Sequence, residues 1–292
     1  LASQWGQDYF RKLRTFFEET DCMLLEHDGS YPGDVDAAAR PPLQKGLDDS
    51  RYVQWRIVTD FYKWLRGRGV FLRVPDFYYL SGSSECGMGY RETNWSLPRA
   101  QQVIHTRLNI YDGTWDKTPS MGWMLVPLTQ YHGGGAAATI EPLSEHLDHY
   151  RRMMLSNLAF GVQACYRGHR LYDTEETKQM VCEAVAWYKK HRDILESDLI
   201  HGRRADGRDV DWMLHANPHL EDKGMLVVFN PLDQRVQRTL RVNCYYTGLT
   251  RAAAVSHEGA APQTIPIDRN HVAKIPVELE AEGFTWVLLR EP

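Results

Sequence analysis

An α/β fold, in which part of a (β/α)8 TIM barrel precedes an antiparallel β-sandwich, is predicted by three observations. Up to about residue 205, stretches with a 3.6-residue apolar period alternate with short apolar runs. Beyond it the period falls to 2, with no helical pattern between the runs. The third observation is the segment 21–34, Asp-Cys-Met-Leu-Leu-Glu-His-Asp-Gly-Ser-Tyr-Pro-Gly-Asp. Its apolar run Met23, Leu24, Leu25 stops at Glu26-His27-Asp28 and turn formers follow at once, which places Asp28 at the C-terminal lip of a buried strand. Barrels present catalytic groups on that lip, because strand ends are rigid while the loops after them shape a pocket. An Asp before Gly also serves simply to open a turn.

The elements follow in order. Residues 4–18 place Trp5, Tyr9, Leu13 and Phe16/Phe17 at helical spacing behind a Ser3 cap. Residues 29–48, rich in Gly, Pro, Ala and Asp, read as a long loop over the barrel mouth. A second helix spans 51–67 with Val53, Ile57, Phe61 and Trp64/Leu65 on its stripe, and Val70 to Val74 is the next strand. Pro75 to Pro98 reads as loop, and Pro98 opens a helix running to about Tyr111, closed by Gly113. Residues 121–127 form a strand trailed by the Gly133–Gly135 loop, which lacks the spacing of a phosphate cradle. A helix at 143–158, a strand at 162–166 and a helix at 174–195, entered through Asp173 and Glu176, complete this part. The period-2 segments lie near 210–216, 224–230, 237–244, 251–256, 271–279 and 284–290. The domain division is therefore 1–205 for the barrel portion and 206–292 for the sandwich. Only four or five strands precede the sandwich where a closed barrel needs eight, so the N-terminal half of the barrel is expected from a longer parent chain or a second polypeptide.

Composition narrows the function classes. A net charge of −4, from 34 basic and 38 acidic side chains with no long basic run, leaves no footprint for nucleic acid. No apolar run reaches membrane-span length, and the start lacks the pattern of a signal peptide. The absence of an initiator Met points to a processed or truncated start, and localisation stays open between cytoplasm, periplasm and secretion. The five cysteines are scattered without ligand spacing, so mostly free thiols, no metal and no cofactor are expected. Nine Trp and fifteen Tyr suit a protein that stacks on sugar rings, although such residues also fill cores. Self-association is compatible with the sequence.

A second acidic site, Ser84-Glu85-Cys86-Gly87-Met88-Gly89-Tyr90-Arg91-Glu92, follows the next strand and so shares the lip with Asp28. Two facing carboxylates are what glycoside cleavage needs. Glu92 could equally cap the helix behind Pro98 or pair with Arg91. The order of helix, strand ending in Asp, helix, strand, Cys-Gly-x-Gly-x-Arg loop, helix and Met-Gly strand resembles the C-terminal half of the α-galactosidases of glycoside hydrolase family 36. So does Glu183-Ala-Val-Ala-Trp-Tyr-Lys-Lys-His-Arg192 with its sandwich behind.

In that family a Lys-Trp-Asp motif supplies the nucleophile, which corresponds to Glu26-His27-Asp28. A Cys-Ser-Gly-Gly-Gly-Arg-Phe-Asp loop supplies the acid/base, which looks like Cys86 to Thr93. The family's sugar-binding Lys is Glu26 here, and its acidic position falls near Thr93 or Asn94, which leaves Glu92 as the nearest carboxylate and Asp76 and Glu85 as fallback acids. The resemblance implies a retaining glycoside hydrolase acting on an oligo- or polysaccharide with an α-linked terminal sugar, with Asp28 as nucleophile and Glu92 as acid/base. Glu26 and His27 would bind hydroxyls, Cys86 and Arg91 would position substrate, and Trp95 and Trp123 would offer stacking floors. Asp34, Arg99, Gln130 and His132 are expected in mouth loops or just beyond strand ends, and Arg167 and Arg170 would suit an acidic group. A catalytically inactive carbohydrate-binding protein, or a structural subunit on the same scaffold, is the competing expectation.

Overall fold

The computed structural model describes residues 1–27, 35–74, 76–86, 97–115, 124–130, 134–162 and 164–292, with Asp76, Phe77, Glu85 and Cys86 described by their backbone alone. It is a mixed α/β protein with a sheet-rich C-terminal part, and its residues group into two compact units, Leu1–Gly89 and Tyr90–Pro292.

In the first unit, α1 (Gln4–Glu19) starts at the expected cap, where the Ser3 hydroxyl accepts from the Gly6 amide at 3.2 Å. Phe10 and Phe17 bury themselves, while Trp5, Tyr9 and Phe16 of the apolar stripe stay 70%, 41% and 50% exposed. β1 (Leu24–Glu26) leads through a long connection to α2 (Leu47–Gly67) and then β2 (Phe71–Val74). α2 begins four residues before the 51 read from the sequence, because the Asp49 carboxylate accepts from the Lys45 and Gly46 amides and so holds a helix start inside the Asp-rich stretch. The stretch Pro75 to Pro98, read as loop, holds α3 (Asp76–Tyr79) and β3 (Glu85–Cys86). A two-residue strand has no period to detect. The three strands form a parallel sheet in the order β1-β2-β3, with Leu25 opposite Leu72 and Arg73 opposite both Glu26 and Glu85. Phe61, Tyr62 and Leu65 of α2 pack with Leu72 and Val74 to make this unit's core.

The second unit begins with α4 (Arg99–Gly113), β4 (Leu125–Pro127), α5 (Leu147–Leu158) and β5 (Cys165–Arg167). β4 and β5 pair in parallel. α5 starts later than expected because residues Ser144–His146 wind as a 3-10 turn. The helix read over 174–195 is two: α6 (Glu175–Lys190) and α7 (Arg192–Leu195), separated at His191. α6 is capped by Thr174, whose hydroxyl accepts from the Thr177 amide at 3.2 Å. Asp173 and Glu176 are therefore not the capping pair, although Asp173 does accept from the Thr177 hydroxyl at 2.9 Å.

The strands that follow are β6 (Asp198–Arg203), β7 (Asp211–Ala216), β8 (Gly224–Phe229), β9 (Val236–Asn243), β10 (Ala252–His257), β11 (Gln263–Pro266), β12 (Val272–Leu279) and β13 (Phe284–Arg290). An antiparallel sheet runs β11-β10-β13-β8-β7-β6, and β9 pairs with β12 in a second sheet. β6 and β11 escape a sequence reading because β6 is half-buried with no alternation and β11 is only four residues long. Gly202 in β6 has its own reason: a Cβ there would lie 2.2 Å from the Trp212 indole on β7.

Burial explains the strand patterns. One face of the larger sheet packs Leu214, Leu226, Val228, Val255 and Val287 against Leu240, Val242, Ile275 and Val277 of the β9–β12 pair. The other face sends Met213, Met225, Val227, Phe229 and Leu288 into a core shared with α4, α5 and α6. β8 is therefore covered on both sides and reads as the unbroken run Met-Leu-Val-Val-Phe, whereas β12 alternates buried and exposed. A buried ion pair ties the helices to the sheet. The Arg107 guanidinium donates to both Asp211 carboxylate oxygens at 2.7 and 2.8 Å, and both side chains are 3% exposed. Among the described residues no helix is long and apolar enough to cross a membrane.

Candidate functional site

The site begins with the run-out of β1. Glu26 is its last residue and is exposed, and the His27 amide, one residue on, still donates to the Arg73 carbonyl of β2 at 3.2 Å. Sheet pairing thus carries the backbone to the residue before Asp28. The half-buried His27 ring is fixed from below: its Nδ1 meets the hydroxyl of Tyr62 at 2.6 Å. Tyr62 belongs to α2, is fully buried, and stands edge-on to both the His27 and Tyr79 rings. This bond ties the tautomer of a neutral imidazole to the phenol: where the phenol donates to Nδ1, the ring proton sits on Nε2. In the next strand Arg73 is the register partner of Glu26 and of Glu85, so a cation stands between two acidic positions across the sheet.

Asp28, Asp34, Arg91, Glu92, Trp95, Trp123 and His132 lie outside the described residues. Asp76 opens α3 directly behind β2, and Glu85 and Cys86 make up β3, so the backbone sets all three on or just beyond the β2 and β3 segments. The Cys86 loop therefore starts from a strand rather than from within a coil.

The remaining candidates belong to the second unit and divide by partner. Arg167 is the last residue of β5 rather than a residue beyond it, and its carbonyl accepts from the Leu128 and Thr129 amides at 2.9 and 3.1 Å. Gln130 lies exposed just past β4. Arg170 forks onto Glu141 with bonds of 2.9 and 2.8 Å, and this contact holds the Glu141 carboxyl below the usual carboxylate range. Arg170 is thus an ion-pair residue. Arg99 is the first residue of α4 rather than part of a mouth loop, and its Nη1 donates to the Ala136 and Thr139 carbonyls at 2.7 and 2.8 Å. Among the described residues no group of three His, Cys, Asp or Glu side chains is placed to hold a metal.

Sequence reasoning passed over Tyr62 and Arg73. Tyr62 sits between Phe61 and Trp64 on an apolar stripe, where a tyrosine reads as core. Arg73 left a clearer trace, since a guanidinium inside the four-residue strand Phe-Leu-Arg-Val needs a partner when it is taken from water.

No protein-family model matches the sequence, and no curated protein does. Solved structures do match. The galactosidase domain of the α-galactosidase-sucrose kinase AgaSK aligns over 99% of this chain and 38% of its own, with TM-score 0.61 and 15% identity. The family 36 α-galactosidase AgaA from Geobacillus stearothermophilus aligns over 99% of this chain and 39% of its own, with TM-score 0.59 and 13% identity. A family 27 β-L-arabinopyranosidase from the same organism aligns over 80% of this chain and 55% of its own, with TM-score 0.50 and 13% identity. The chain spans about two fifths of the length of the family 36 structures it matches. Over nearly its whole length it has the fold of the corresponding part of family 36 α-galactosidases.

Proposed function

We propose that this chain is the part of a retaining glycoside hydrolase that bears both catalytic acids, and that it removes an α-linked, galactose-like terminal sugar. In this reading residues 1–205 are the C-terminal portion of a (β/α)8 barrel and residues 206–292 a β-sandwich, with β6 reaching from the first into the second. Asp28 attacks the anomeric carbon while the bond to the leaving oxygen breaks and Glu92 gives that oxygen its proton. Glu92 then takes a proton from water, the water oxygen bonds to the anomeric carbon, and the Asp28 carboxylate is released. Glu26 and His27 hold sugar hydroxyls. Cys86 and Arg91 position the ring, Trp95 and Trp123 stack on it, and His132 and Arg167 line the mouth. Asp76 and Glu85 are the alternatives to Glu92.

The observation that supports this reading most is the placement of Glu26 and His27 at the C-terminal end of a parallel strand, in a chain whose fold neighbours are glycoside hydrolases. The test is kinetic, in the chain together with the longer sequence or second polypeptide that would complete the barrel. Asp28→Asn is expected to abolish hydrolysis of α-linked aryl galactosides, and Glu92→Gln to slow substrates with poor leaving groups far more than those with good ones. Parent rates in both variants would refute the assignment.

A second reading, a subunit whose purpose is to complete another barrel segment, is favoured by one feature. Met23, Leu24 and Phe71 are 58%, 53% and 42% exposed, and β1 is an edge strand of its sheet. We propose that the remaining barrel strands pair along β1 in either reading. Leu24→Lys is then expected to weaken assembly of the complete barrel, read by co-purification of the two parts expressed separately.

A further inference from the structure

An open cleft of about 630 Å³ among the C-terminal strands has β9 and β12 on one side and β10, the turn after it and β13 on the other. Along a strand every second side chain faces the opposing sheet. Leu240 of β9, Val255 of β10 and Val287 of β13 hold such positions and are buried in the apolar core. Two residues away on each strand, the same face carries Arg238, His257 and Thr285 instead, and all three line the cleft. Polar side chains on an inward face are informative, because a packed core has no use for them. A fourth polar group enters from the turn after β10. Glu258 stands there at φ 49, in the left-handed region that Gly, Asn and Asp occupy more readily, and Gly259 follows at φ 80. Its carboxylate accepts from the hydroxyl of Thr285, itself 7% exposed, at 2.9 Å. Strained residues of this kind cluster at ligand clamps.

The hydrogen-bonding groups left over define the ligand. Arg238 donates from Nε to Asp209 at 3.0 Å and from Nη1 to the Gln237 carbonyl at 2.9 Å, which leaves Nη2 as a donor. His257 is half-buried, hydrogen-bonds to no described residue and keeps both ring nitrogens open to solvent. Burial holds it below the usual imidazole range, so the neutral ring offers one donor and one acceptor. Glu258 has one carboxylate oxygen on Thr285 and one to spare. The buried Val277 adds an apolar face. Charge is nearly balanced. Asp209 answers Arg238, and Arg235 answers Glu278, the other charged residue of the cleft, which leaves only Glu258. A cation could use Glu258 but not the Arg238 donor, and an anion could use Arg238 but would meet Glu258. A hydroxyl donates to the one and accepts from the other, and several hydroxyls around an apolar ring face use every group.

We propose that this cleft binds a neutral saccharide through Arg238, His257 and Glu258, none of which takes part in the proposed cleavage. The site holds whether or not Asp28 cleaves sugar, and it is read by binding alone. The test is calorimetric titration of the full chain with three neutral trisaccharides, raffinose, maltotriose and xylotriose, together with nitrogen NMR of the His257 ring. Saturable binding of at least one is expected, insensitive to added salt, with the His257 resonances moving at the same midpoint. Glu258→Gln and His257→Ala should each weaken it roughly tenfold, while Asp28→Asn leaves it unchanged. Thr285→Val, which releases the Glu258 carboxylate, should weaken it less. No saturable binding of any of the three, binding that Glu258→Gln and His257→Ala leave intact, or binding that only Asp28→Asn removes would overturn the proposal. So would tighter binding of spermidine or glycine than of the sugars, which would make the ligand a charged one. Circular dichroism separates loss of the site from loss of the fold, and the ring shift in the unsubstituted chain decides the matter where a variant fails to fold.

Discussion

Replacing Asp211 by Asn should destabilise the second unit more than any other single isosteric change in the described residues. Arg107 donates to both carboxylate oxygens at 2.7 and 2.8 Å, and each side chain is 97% removed from solvent. The same guanidinium donates to the Ser156 hydroxyl at 3.1 Å and lies over the Phe229 ring at 4.5 Å, so it cannot swing out to water when its partner is lost. Burial pushes the Asp211 carboxyl up despite the pull of Arg107, which says that desolvation is the larger effect at this pair. Two consequences follow. Removing one charge strands the other, at a cost of about 3–5 kcal/mol. Removing both, as Arg107→Met with Asp211→Leu, should recover most of that loss, because the pair has already spent its attraction on dehydration. Urea unfolding followed by tryptophan fluorescence of the wild type, Arg107→Met, Asp211→Leu and their double variant gives all four corners of the cycle, and at about 2–4 °C per kcal/mol the Asp211→Asn variant should melt roughly 10 °C early. An Asp211→Asn variant within about 1 kcal/mol of the parent, or a double variant as damaged as the sum of the singles, would refute the reasoning.

His215 is fully buried with Nε2 against the Ala159 carbonyl at 2.8 Å, and burial pushes it down to about 4. An unfolded chain protonates this residue below about 6.5 while the native state does not, so stability should fall as pH drops from about 6.5 to 4, by on the order of 3 kcal/mol. His215→Gln should flatten that part of the pH–stability curve, and an unchanged curve would count against it. Gly202→Ala should cost about 1–3 kcal/mol and disturb the β6–β7 pairing, seen as early hydrogen exchange in those strands, because the new methyl meets the Trp212 indole. Tyr62→Phe should cost about 1 kcal/mol of stability and release the His27 tautomer, which ring nitrogen shifts report.

How much could be read from the chain depends on how many residues carry each signal. α1, α2, α5 and α6 were legible because several turns of apolar stripe outweigh local noise, and β9 and β12 because an exposed face enforces alternation. β3 and β11 were not legible, since two and four residues offer no period, and β6 was hidden because its burial does not alternate. The start of α5 was misplaced by the 3-10 turn, whose spacing differs from that of the helix it joins. At the site, the strand-end position of Glu26-His27 was visible as an apolar run that stops at polar residues. The contacts that fix it were not, because Tyr62 lies 35 positions from His27 and only the packing of α2 on the sheet brings them together. Arg170 showed the reverse: a candidate ligand by sequence, it is engaged by Glu141 through a loop closure that no local pattern encodes.

The proposed mechanism has Asp28 form a bond to sugar. A 2-deoxy-2-fluoro α-galactosyl donor with a good leaving group, incubated with the protein in its complete barrel and analysed by peptide mass spectrometry, is the test, because the fluorine slows breakdown of the covalent intermediate. One added fluorosugar is expected on the peptide that contains Asp28, and none in the Asp28→Asn variant. A label on the Asp76 or Glu85 peptide, or no label while α-galactoside turnover continues, would contradict it.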